Sequence, residues 1–119
     1  MNKKNGNPLK EKSYIFAIEI VKICRYLTAE KKEYVVSKQL LKSGTSIGAN
    51  VEEANQAESK ADFIHKLSIS NKEAFETQYW LRILRDTEYL EQNISVQLLN
   101  QCEELIKILI ASIKKAKGL

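Results

Sequence analysis

Proline occurs once and glycine four times in the 119 residues. That is too few turn-formers for an all-β sandwich or barrel with its many short connections. The two cysteines, Cys24 and Cys102, stand far apart, and there is a single histidine. A disulfide framework and a zinc knuckle are therefore excluded. No stretch approaches the ~20 consecutive apolar residues that a membrane-spanning helix needs. The polar, basic start Met1–Lys12 is not followed by the apolar core of a signal peptide. Two reduced thiols suit a reducing interior, so the expected location is the cytoplasm, without membrane association. Against these shortages stand 44% apolar and 29% charged residues, an ordinary globular composition of one domain's length.

The formal charge of +4 is unevenly placed. Residues 1–12 hold Lys3, Lys4, Lys10 and Lys12 against Glu11, and read as a basic N-terminal arm ahead of a domain spanning 13–117. Lys107, Lys114, Lys115 and Lys117 close the chain without an acid among them. The body between is net acidic, with nine acids against five bases over Val51–Glu91. The molecule is bipolar, which weakens any inference from its basic pI of about 9.0 straight to nucleic acid.

Helical periodicity runs through the whole chain. Phe16, Ile20, Ile23 and Leu27 recur every three or four residues, preceded by Asn7-Pro8 as a cap and first turn, with Ser13 as a later start. A second helix, starting near Lys32 or Glu33, carries Val36, Leu40, Ser43, Ile47, Val51 and Ala54. Its middle, residues 43–50, is nearly all small side chains. Gly44 and Gly48 lie one turn apart on one face, where a neighbouring backbone can come close. Ser59 and Asp62 resemble a capping box ahead of a third helix with Phe63, Leu67, Ser70, Ala74, Thr77, Leu81 and Leu84 inside. Asn93 or Ser95 should cap a fourth, with Leu98, Cys102, Leu105, Leu109 and Ile113 inward and Gly118 closing it. Four helices with short connections give an all-α fold, an antiparallel up-down-up-down four-helix bundle.

Apolar residues remain after the four stripes are buried. On the third helix these are Ile69, Phe75, Tyr79, Trp80 and Ile83. Exposed apolar rows mark contacts with other chains, so these five residues are the expected subunit interface of a homo-oligomer.

The run from Ser37 to Ala54, SKQLLKSGTSIGANVEEA, resembles the signature of a bacterial family. The run from Ala57 to Leu67, AESKADFIHKL, with Lys72-Glu73-Ala74 and Glu76 to Leu81, does so as well. The family is that of the four helix bundle proteins, also called 23S rRNA intervening sequence proteins, and the likeness spans about Lys12 to Lys117. Phe75 departs from the pattern, where a polar residue is expected. The resemblance implies a bundle similar to the accessory variability protein of diversity-generating retroelements, assembled as a barrel-shaped homopentamer. That relative binds nucleic acid and reverse transcriptase. No catalytic motif comes with the family.

Residue chemistry points the same way. A di-iron bundle needs two Glu-x-x-His motifs, whereas His65 has only Asp62 three residues before it. Cys24 and Cys102 fall on apolar stripes, where a thiol behaves as a small hydrophobe. No cofactor, metal or enzymatic activity is expected. Asn50, Glu53, Glu73, Glu76 and Tyr79 read as polar groups fixing helix or subunit register. Lys22 and Arg25 on the first helix, with Lys38 and Lys42 on the second, are the candidate phosphate contacts for RNA or DNA. Repeated around an oligomer, such a patch gains avidity. The alternative is an oligomeric scaffold that docks a partner protein and has no nucleic-acid role.

Overall fold

The structure is a computed structural model that describes residues 7–119. It consists of α1 (Pro8–Ala29), α2 (Val36–Ala54), α3 (Lys60–Asp86) and α4 (Gln92–Ala116). They form a bundle of 44 × 29 × 21 Å. Each helix packs against its neighbours in sequence, and α4 returns to α1, where contact is sparsest.

Short-range chemistry sets the ends. Asn7 accepts a hydrogen bond from the Lys10 amide, with Pro8 in the first turn. Pro8 to Lys12 are therefore helical, so the basic arm expected over 1–12 gives way to α1 at its eighth residue. Residues 1–6 of that arm lie outside the described residues. Ser59 Oγ accepts from the Asp62 amide at the start of α3. Gly118, at φ +79°, turns the chain after α4.

Two helix starts differ from the expected ones. α2 begins at Val36 rather than at residue 32 or 33, because Glu33 is spent as a cap. Its carboxylate accepts from the amides of Val35, Val36 and Ser37 at 3.1, 2.9 and 2.7 Å. The Ser37 hydroxyl donates back to the Glu33 carbonyl. Lys32 takes a positive φ of 55° so that this turn can close. α4 begins at Gln92 after an extended Glu91, so neither Asn93 nor Ser95 caps it. Ser95 is buried instead, its hydroxyl donating to the Glu91 carbonyl.

The antiparallel register follows from cross-helix pairs. Asn7–Asn55, Lys10–Glu52 and Cys24–Ser37 step in opposite directions along α1 and α2. Lys66–Glu53, Ser70–Ile47 and Thr77–Ser43 do the same for α2 and α3. Between them lie Phe16, Ile20, Leu27, Leu40, Ile47, Leu67, Leu81, Leu84, Leu105 and Leu109, all almost wholly buried. Gly44 and Gly48 make the close crossing expected of them. A Cβ on Gly44 would meet Ile20 Cγ1 and Cγ2 at 2.9 Å, and one on Gly48 would meet the Ser13 carbonyl oxygen at 3.2 Å.

Candidate functional site

The four candidate cations are all exposed, and the fold does not gather them on one surface. Arg25 and Lys38 come together across the α1–α2 seam. They border a depression of about 300 Å³ whose wall includes Val21, Cys24, Tyr34 and Leu41. Lys22 turns to the other flank of α1, beside Glu19, Ile94 and Gln97 of a smaller hollow of about 190 Å³ against α4. Lys42 leans to α3, close enough for its charge to act on Glu73. Among the described residues, none of the four forms an ion pair, whereas Lys10, Lys12, Lys66, Arg85 and Lys107 all do.

The five interface candidates also divide. Bonds from Lys66, Ser70 and Thr77 define the flank of α3 that meets α2. At ~100° per residue, Ile69 and Trp80 belong to the outer edge of that flank. Trp80 packs on the core, its indole N–H donating to Glu76. Ile69 and Ile83 are half-buried. Phe75 lies toward the opposite flank, and Tyr79 points outward with its ring edge-on to that of Trp80, the centroids 5.1 Å apart; the two are 49% and 50% exposed. On α4, the Lys12–Glu104 pair marks the α1 side, so exposed Val96 and Ile110, two heptads apart, line the α3 side. The Cys102 thiol donates to the Ala74 carbonyl, a register that brings Tyr79 and Val96 to about one level. The outer face of the α3–α4 pair thus exposes Phe75, Tyr79, Val96 and Ile110 among charged neighbours, Arg82 and the Glu103–Lys107 pair.

A second apolar face escaped the sequence reading. Between α1 and α2, below the Arg25–Lys38 depression, runs a further hollow of about 260 Å³ floored by Ser13, Ala17, Thr45, Gly48 and Ala49. Tyr14 and Glu52 line this hollow and Tyr34 and Leu41 the depression above it, and all four are exposed. The signal was present in the run 43–50. Its small residues that face away from the bundle, Thr45 and Ala49, floor the groove as Gly44 and Gly48 line the crossing.

The titratable groups do not converge. Burial pushes the thiols of Cys24 and Cys102 up to about 12, which leaves both protonated and unreactive at neutral pH. Burial, then repulsion from Glu76, raises the Glu73 carboxyl, but no histidine or thiol accompanies it. His65 is exposed. Asn50 donates to its own helix at the Ser46 carbonyl and Glu53 pairs with Lys66, so the polar residues near the stripes do not line a common site. Among the described residues no cluster of three or more His, Cys, Asp or Glu could hold a metal. No described helix is long and apolar enough to cross a membrane.

The fold and surface define an antiparallel four-helix bundle whose conspicuous features are exposed apolar side chains on two outer faces rather than a reactive cleft. The family model of the 23S rRNA-intervening sequence protein matches residues 7–111, and the chain belongs to that family. A crystal structure from Bacteroides thetaiotaomicron VPI-5482, of a protein with unknown function from the S23 ribosomal protein family, is 52% identical to this chain. It superposes with a TM-score of 0.88, the match covering 89% of this chain and 98% of that one. A search of the curated proteins finds no match.

Proposed function

We propose that the protein is a non-enzymatic, self-associating helical scaffold that docks a partner protein. The supporting observation is the set of exposed apolar side chains on opposite sides of the bundle. A single copy leaves half-exposed aromatic side chains on both, and patches of that kind mark protein contacts. Light scattering over a range of concentrations should give a fixed multiple of 13.6 kDa. Capture of a specific partner from nuclease-treated extract should persist. A concentration-independent monomer removes the reading.

The unpaired Arg25 and Lys38 beside one depression favour a second reading, contact with the RNA or DNA backbone. Two cations make a small phosphate site, so the reading relies on repetition around the oligomer. A mobility-shift series in salt tests it. Binding should weaken steeply as salt rises and should disappear in R25E/K38E. No shift at low ionic strength ends the idea.

A further inference from the structure

We propose that the depression between Arg25 and Lys38 binds a small aromatic carboxylate, its ring against Val21 and Leu41 and its charged head between the two cations. The site belongs to the single bundle and does not depend on self-association.

The walls select the kind of molecule. Their thiol and aliphatic hydroxyls are already engaged. The Cys24 thiol donates to the Ser37 carbonyl at 3.3 Å, and the Thr28 hydroxyl reaches the carbonyls of Cys24 and Arg25, each at 3.1 Å. The Ser37 hydroxyl donates to the Glu33 carbonyl at 2.8 Å. What remains on offer is the apolar surface of Val21 and Leu41, the exposed ring of Tyr34, and two charges. Such a wall suits an apolar body that carries one anionic head.

The charges are free to act. Neither Arg25 nor Lys38 forms an ion pair among the described residues, and no carboxylate lines the depression. Glu33, next to Tyr34 in the chain, has both oxygens occupied by the amides of Val35, Val36 and Ser37. Arg25 follows Cys24 on α1 and Lys38 follows Ser37 on α2, so the Cys24–Ser37 hydrogen bond sets the two cations at about one level on opposite walls. The two oxygens of a carboxylate match them, and the planar fork of arginine favours that head group. A phosphate would bring a third oxygen, for which these walls supply neither a further cation nor a free serine or threonine hydroxyl.

Size completes the assignment. From Val21 to Thr28 the wall follows two turns of α1, about 10 Å. The volume is about 300 Å³, twice the ~150 Å³ in which an enclosed apolar cavity accepts benzene. One ring with a short tail fills that space.

The test is saturation-transfer NMR on the full chain, with 3-phenylpropionate as the probe. It should bind saturably with a Kd of about 1 mM or tighter. The uncharged 3-phenylpropionamide should bind about 10-fold more weakly, and R25Q/K38Q should weaken the carboxylate by a similar factor. V21W fills the depression while keeping both cations, and should abolish binding with the helical circular dichroism unchanged. Absence of saturable binding, equal binding of the amide, or full binding by both variants each overturns the site. Tighter binding of phenyl phosphate than of 3-phenylpropionate overturns the carboxylate assignment, and tighter binding of octanoate overturns the aromatic one.

Discussion

The α1–α2 and α3–α4 pairs are both antiparallel and similar in length, yet they meet by different means. α1 and α2 approach backbone to side chain, with Gly44 against Ile20 and Gly48 against the Ser13 carbonyl. α3 and α4 carry no glycine, and Cys102, Leu98 and Leu105 fill the space toward Ala74 and Leu81. Their turns contrast in the same way. A buried carboxylate holds the first, and no side chain caps the helix that follows the second. Side-chain size therefore governs more than the inside of this bundle. Where the seam is built from small residues, the outer surface above it is hollow.

Three comparisons sharpen that contrast, in descending order of effect. Gly44→Leu forces a side chain into space already held by Ile20, and overpacking of that kind should cost about 3 kcal/mol. Val96→Leu on the exposed α4 flank should change stability by no more than about 0.5 kcal/mol. Urea unfolding of both variants measures the difference, and equal losses would mean that the two seams are alike after all.

Glu33→Ala removes the acceptor of three amides and should cost about 2 kcal/mol at neutral pH. The same residue predicts acid sensitivity. Burial alone would raise its carboxyl, but the hydrogen bonds from Val36, Ser37 and Val35 outweigh burial and hold it below the usual 4.5. The stabilisation is therefore whole above 4.5, and is lost as pH falls from there through the lower folded value. Thermal midpoints of the natural chain should drop over that window, and those of Glu33→Ala should drop less.

The smallest effect on the fold is expected from F75S/Y79S. Both side chains are half exposed, so the stability of the subunit should shift by about 0.5 kcal/mol or less. Its mass in solution should nevertheless fall toward that of a single chain. A large loss of stability with unchanged mass would mean that the pair serves the core and not a contact.

Local signals made much of this fold legible. Asn7 and Ser59 cap amides three residues away, and the stripes from Phe16 to Leu27 and from Leu67 to Leu84 point inward by periodicity alone. The α2 start was misplaced because Glu33 looks like a first-turn acid, when it is the cap that stands before the helix. The site was less legible because flank matters there as much as face. Lys22 and Arg25 are three residues apart and turn toward different neighbours, a division set by where α2 and α4 dock. Trp80 and Phe75 part company on α3 for the same reason. The groove was hidden because Thr45, Gly48 and Ala49 show little hydrophobic periodicity, and a hollow is made of what side chains do not fill.

The alternation of helix direction carries a further consequence. α1 begins and α4 ends at one pole of the bundle, beside the α2–α3 turn, while the opposite pole holds only the two closed turns after α1 and α3. Any segment tethered ahead of Asn7 or beyond Lys117 is thus delivered to the first pole. The second carries lysines on one side, in the turn after α1, and carboxylates on the other, in the turn after α3.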